Sequence, residues 1–310
     1  MVKQLDNNTI SKHLGQTSQY KAIYDPSLLV REPRQANRKH LNIDDNNLPF
    51  VGNDTWNAYE VSGLTNKGLP VTGVAKIVYP CDSEFIVESK SIKLYFNSFN
   101  MTKLGDSDID VLEEIEKRAA RDLSTLLGTY VRVRLHTNSE VLRDITRASQ
   151  EWMHNEDVTP NYITLEESYP VGDIKFSVYS ETPELLQVIE EAPIEEVYYH
   201  SALLKSNCRV TSQPDWGDVY IYMKGSNTID PISLLQYIVS FRDECHFHEE
   251  ICETIYKRIM DTVNPDALSV KCLYARRGGI DINPERVSHK KLLHSTLSEV
   301  GVPHIKTPKQ

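Results

Sequence analysis

The sequence has no run approaching the ~18 consecutive apolar residues that a membrane-spanning helix requires. Its opening, "MVKQLDNNTISKHLGQ", carries no apolar stretch of the kind a secretory leader has. Cysteine is scarce. Cys81, Cys208, Cys245, Cys252 and Cys272 form an odd set of five without framework spacing, which points to reduced thiols and a cytoplasmic location rather than a disulfide scaffold. There is no basic excess either: 34 Lys and Arg stand against 44 Asp and Glu, for a net charge of −10. That balance argues against a nucleic-acid-binding surface and for a small-molecule partner, with no membrane involved. Finally, no G-x-G-x-x-G follows a strand and no G-x-x-x-x-G-K-[ST] occurs, so any nucleotide is held by other means.

What is present suits a soluble globular protein, with 40% hydrophobic and 25% charged residues over 310 positions. That length accommodates two domains of about 150 residues. Residues 1–47 read as a polar extension that packs on the body or is partly loose, 48–150 as a first module, and 151–310 as a linker and second module. In the first half, "WNAYEVSGL" (56–64) opens the regular structure and "GVAKIVYP" (73–80) is strand-like. The spacing of Val111, Leu112, Ile115, Ala119, Leu123, Leu126 and Leu127 predicts an amphipathic helix over 110–127 ended by Gly128. "YVRVRLH" (130–136) alternates as a strand. The second half replays this order: a strand at 216–225, helices at 233–244 and 247–260, and a strand at 267–276. "NSFN" against "VSFRD" anchors the repeat. "IKFSVYS" (174–180) reads as a further strand. The fold class is α+β.

Four stretches carry candidate chemistry. In "LLKSNCRVTSQPDWGDV", Cys208 alone reads as a small buried hydrophobe. Its polar flanks, with Lys205 and Arg209 to favour a thiolate, suit a nucleophile instead. Fully extended, Cys208 and Asp215 would lie roughly 23 Å apart, but "SQPDWG" has turn composition and can bring the carboxyl back. In "ESKSIKLY", the plain reading is a helix start capped by Ser89 or Ser91, and the functional one is a phosphate site of lysine and serine. "CHFHEEIC" sets His248 and Cys252 at i,i+4, a metal-ligand spacing that makes zinc a rival to proton transfer by His248 and recognition by Glu249. "ARRGGIDINPERVS" offers arginines and a Gly-Gly for close approach to an anion, or simply an exposed loop.

In order and spacing, "ESKSIKLYFNSFN", "LLKSNCRVTSQPDWG", "FRDECHFHE" and "RRGGIDINP" together resemble the NADPH-dependent 7-cyano-7-deazaguanine reductases, the nitrile reductases of queuosine biosynthesis. The resemblance is to their long form and runs from about residue 48 to the end. It implies two tandem tunnelling-fold modules, like GTP cyclohydrolase I, and a homodimer. It further implies that two NADPH reduce the nitrile of 7-cyano-7-deazaguanine to an amine through a thioimide on Cys208. Asp215 and His248 would move protons, and Val87, Glu88, Ser89, His248 and Glu249 would contact substrate. Ser89, Lys90, Arg277 and Gly278 would contact NADPH, with no metal. A cyclohydrolase or pterin-type enzyme on the same fold, and a catalytically inactive binding module, are the alternatives.

Overall fold

The chain's mid-length apolar runs become strands of one twisted, mostly antiparallel sheet in the computed structural model, which describes residues 22–141, 162–190, 196–302 and 309–310. In chain order the elements that position the site are β1 (Val51–Thr65), β2 (Pro70–Pro80), α1 (Ser89–Asn97), α2 (Asp108–Leu127), β3 (Arg132–Thr137), β4 (Glu196–Ser201), β5 (Lys205–Cys208), β6 (Pro214–Lys224), α3 (Pro231–Ser240), α4 (His248–Val263), β7 (Ala267–Tyr274) and β8 (Ile280–Val287). From β6 the sheet runs through β7, β8, β1 and β2 to β3, every pair antiparallel. β4 and β5 share the other side of β6. The two halves are therefore joined by backbone: β8 pairs with β1 from Ile280 opposite Ala58 to Val287 opposite Val51.

Two hydrophobic cores form, one around α1 and α2 that also takes in Ile280 and Ile282 of β8, and one around α3 and α4 that also takes in Leu41, Ile43, Phe50 and Cys81. Helix α2 buries Val111, Leu112, Ile115, Ala119, Leu123 and Leu127, the stripe expected from its 3.6-residue period. Each large apolar side chain so buried contributes about 1.5–3 kcal/mol. Ser107 accepts from Asp110 N, and the Asp110 carboxylate accepts in return from Ser107 N at 2.9 Å. Gly128, at φ 66°, ends the helix in the left-handed region. Helix α4 does the same for the second half with Ile251, Ile255 and Ile259. No helix among the described residues is long and apolar enough to cross a membrane.

Two local expectations are corrected. "IKFSVYS" is not a strand: 174–180 carries no ladder pairing. Its alternation is real, but the outer side of β6 is taken by β4, so no sheet edge remains for it there. Helix α1 is capped by neither Ser89 nor Ser91. Glu88 is the cap, its carboxylate accepting from Lys90 N at 3.0 Å and Ser91 N at 2.6 Å. A carboxylate satisfies two orphan N–H groups and complements the positive end of the helix, which one hydroxyl cannot do.

Of the polar stretch 1–47, residues from 22 on are described, and they are tied into the body. Arg31–Pro33 pairs with Phe85–Val87. The helix Gln35–His40 brings Arg38 against Glu253 (Nη2 to Oε1, 2.8 Å). Arg34 pairs with Asp54, and Arg286 bridges Asp54 (2.8 Å) and Glu253 (2.9 Å). None of these five charged side chains is more than 3% exposed. Removing one member would strand a buried charge at a cost of about 3–5 kcal/mol. The boundary expected near 150 lies among residues 142–161, outside the described residues.

Candidate active site

A cavity of about 270 Å³ opens where β8 meets β1. Trp56, Ile280 and Ile282 of the two central strands line it, together with the N-termini of α1 and α4, the β5–β6 hairpin and the loop after β7. All four stretches singled out in the sequence meet here. Both halves of one chain contribute: Val87, Glu88, Ser89 and Lys90 from the first, and Cys208, Asp215, His248, Glu249, Arg277 and Gly278 from the second.

Cys208 ends β5 and is half-buried. The chain reverses at 209–213, earlier than the expected "SQPDWG". Cys208 N donates to Gln213 O (2.8 Å), Ser212 N to Cys208 O (2.9 Å), and Ser212 takes a left-handed φ of 52°. Pro214 and Asp215 already lie in β6, with Asp215 opposite Ser206. Gly217 is therefore a strand residue, where a Cβ would come within 3.1 Å of the Tyr274 ring. The two cations expected to favour the thiolate are engaged elsewhere: Arg209 with Glu250 (2.9 Å) and Lys205 with the Arg242 carbonyl (2.5 Å).

Asp215 is 3% exposed. Burial alone would raise its pKa, but the His248 ring, with Nε2 at 3.4 Å, and the Arg277 guanidinium outweigh burial and hold the carboxyl below the usual range. His248 is the first residue of α4 and stacks on Tyr274 with ring centroids 3.9 Å apart. Cys252, its i,i+4 partner, turns instead to the sheet, its thiol reaching Val270 O and Pro284 O. Glu249 is 2% exposed, and its Oε1 has no hydrogen-bond partner. Burial and the nearby Asp54, only partly offset by Arg34, push its pKa up to about 8.

At the mouth, Ser89 and Lys90 are exposed and Lys93 is partly so. Gly278, at φ 59°, presents bare backbone; a Cβ there would come within 3.3 Å of Lys93 Nζ. Hydroxyl, ammonium and guanidinium donors around an open backbone suit a phosphate. Lys93, one of the lysines of "ESKSIKLY", is there as well, whereas sequence reasoning missed Trp56 and His246. His246 is the register partner of Cys208 in a short parallel pair, and Glu244 (3.1 Å) and Glu250 (3.4 Å) outweigh burial to push its pKa up to about 9. Only the run "ECHFHEE", rich in acids around two histidines, hinted at it.

Comparison with known proteins places this geometry. Residues 20–135 match the family described as "Nitrile reductase, 7-cyano-7-deazaguanine-reductase N-term", and residues 214–292 match "QueF-like protein". A Legionella pneumophila (strain Lens) protein named NADPH-dependent 7-cyano-7-deazaguanine reductase is 42% identical over 273 residues, covering 88% of each chain. The chain belongs to the 7-cyano-7-deazaguanine reductase family. Relatives of the same name from Colwellia psychrerythraea (40% identical, covering 89% of this chain and 91% of that one) and Cupriavidus metallidurans (41%, covering 91% and 95%) agree. The family match starts at residue 20 rather than 48, which accords with the ion pairs that tie Arg34 and Arg38 to the body. Among solved structures, an archaeosine synthase QueF-Like in the apo form overlays 32% of this chain and 91% of its own, at 14% identity and a TM-score of 0.27.

Proposed function

We propose that this chain is an NADPH-dependent oxidoreductase that reduces the nitrile of 7-cyano-7-deazaguanine to the aminomethyl group by way of a thioimide on Cys208, in the queuosine modification of tRNA. The observation that carries the reading is the convergence of a half-buried thiol, an ionised aspartate with a histidine, and a buried glutamate with one oxygen lacking a hydrogen-bond partner in one cavity whose mouth is cationic. Membership of a family whose relatives carry that name supports it.

A nitrile carbon is a modest electrophile, and nucleophilic catalysis divides a hard reduction into easier steps. Asp215 is held as a carboxylate, so its first act is to take the Cys208 proton, directly or through His248. Sulfur then bonds to the nitrile carbon, one π bond of the C≡N breaks, and the same proton passes to nitrogen. The product is S–C(=NH), with atoms and charge balanced. Glu249 would anchor the guanine-like edge, accepting from N1–H and the 2-amino group. Val87, Glu88 and Ser89 complete the substrate wall. NADPH, when bound, would supply one hydride, and two are used in turn; after the first has been added to the thioimide carbon the C–S bond breaks, which returns the Cys208 thiolate and leaves an imine to take the second. Ser89, Lys90, Arg277 and Gly278 would hold its phosphates, a role their donor set fits. Asp215 and His248 supply the matching protons.

The repeat of element order in the two halves supports assignment as tandem tunnelling-fold modules. Among the described residues β3 has a strand partner on one side only, a sheet edge that a second copy would cover in a homodimer. A cytoplasmic location suits the unpaired cysteines. The function is tested by following NADPH absorbance with and without the nitrile. Two NADPH consumed per amine formed supports the reading, and no nitrile-dependent oxidation contradicts it.

A further inference from the structure

Resting on the nucleophile and acid reading above, we propose that Arg277 is a positioning residue with two alternative partners. It holds Asp215 ionised while Cys208 adds to the nitrile, and it leaves Asp215 when an anion occupies the cavity mouth. Of the cations lining the mouth, Lys93 pairs with Glu60 (3.3 Å) and Lys90 is exposed, while the neighbouring Arg276 lies over the Tyr59 ring (3.5 Å). Arg277 reaches inward, Nη1 donating to Asp215 Oδ1. Its side chain is 44% exposed while that of Asp215 is 5% exposed, so one end of the pair is in solvent and the other in the reacting centre. Arg277 N donates to Ile280 O (2.9 Å) and Ile280 N to Arg277 O (3.2 Å), with Gly278 and Gly279 at positive φ between them. That closed turn fixes the backbone, and the exchange of partners falls to the side chain.

The chemistry gives the exchange a purpose. Forming the thioimide needs Asp215 as a base, whereas each hydride delivered afterwards must be matched by a proton delivered to nitrogen. With the Arg277 guanidinium beside it the Asp215 carboxyl is held below its usual range despite burial, so it is seldom protonated and has little proton to give. Asp215 contacts Arg277 from the loop after β7 and His248 from α4, whose ring stacks on Tyr274; the other titratable groups lining the cavity are Cys208, His246 beside it, Glu249, Glu88, Lys90 and Lys93. If the guanidinium departs toward a phosphate, His248 remains as the close partner and Asp215 accepts protons more readily.

The test follows the rate of covalent mass addition by the nitrile, without NADPH, from about pH 3 to 8, a window that reaches below the usual carboxylate range where the Asp215 limb falls. It compares wild type, Arg277→Met, Arg277→Lys, and wild type saturated with NADP⁺, with occupancy checked by calorimetry. Wild type should lose rate at low pH as Asp215 protonates. Arg277→Met should shift that acid limb upward by about one pH unit or more, and Arg277→Lys should restore most of the shift. Bound NADP⁺ should move the wild-type limb in the same direction, an arm that does not depend on a variant folding. An unmoved limb in Arg277→Met that still forms adduct, or in wild type with NADP⁺ bound, overturns the proposal. Absence of any addition by wild type at every pH would instead contradict the nucleophile reading on which it rests.

Discussion

Glu249 and Glu253 lie one turn apart on α4, each 2% exposed, and their carboxyls shift in opposite directions. Burial pushes both up. Glu253 ends below the usual carboxylate range because Arg286, Arg38 and Arg34 surround it. Glu249, with Asp54 opposing it and only distant arginines in its favour, is left at about 8. Arg34, Arg38 and Arg286 are concentrated on Glu253 at the junction of the two halves, and none of the three forms an ion pair with Glu249. One carboxylate is structure, and the other is an unfilled hydrogen-bonding position. Glu88, just before α1, is a third case: at least as buried, and satisfied by its own helix N-terminus.

The largest effect that would break this contrast is at the junction. Glu253→Gln should cost about 3–5 kcal/mol of stability, because Arg38 and Arg286 lose a fully desolvated partner; urea denaturation measures it. Glu249→Gln should instead stay within about 1 kcal/mol of wild type in the same assay at neutral pH, since an amide replaces a group that is already largely uncharged. Its effect should be on recognition, with substrate binding weakened about 100-fold by calorimetry as a charged acceptor is lost. Glu88→Ala should cost about 1–2 kcal/mol of stability by uncapping α1, read as a fall in the thermal midpoint.

The smallest effect is in pH dependence, and its sign differs between the two glutamates. Glu253 has a lowered folded pKa, so its contribution is present above the unfolded value of 4.5 and is lost as pH falls. Glu249 has a raised folded pKa, so the folded state gains from its proton at low pH and loses that gain as pH rises from 4.5 to about 8. A substrate that needs the carboxylate must expel that proton. Affinity should therefore rise by up to tenfold per pH unit below about 8 and level off above it. Glu249→Gln should bind with a flat profile; a slope retained in that variant would show that another group titrates.

Elements governed by local pattern were legible in the sequence. The α2 stripe, its Gly128 stop and the order of strands and helices in both halves rest on periodicity and turn chemistry, which act within a few residues. "IKFSVYS" misled because alternation shows that a segment could sit in a sheet, not whether an edge is vacant. The stretch 1–47 was read as packing on the body or partly loose, and the anchoring by Arg34 and Arg38 was not legible, since their partners Asp54 and Glu253 are remote in sequence and only the fold brings them together. The candidate site was legible as a set of motifs, whose meeting in one cavity the β8–β1 seam explains. The Arg277–Asp215 contact was not, being made across 62 positions of chain.

The central claim is that Cys208 is the nucleophile, and intact mass measurement of the protein mixed with 7-cyano-7-deazaguanine in the absence of NADPH tests it most directly. The account predicts a stoichiometric addition equal to the mass of the nitrile in wild type and none in Cys208→Ala. Wild type without addition, or Cys208→Ala with it, would contradict the account.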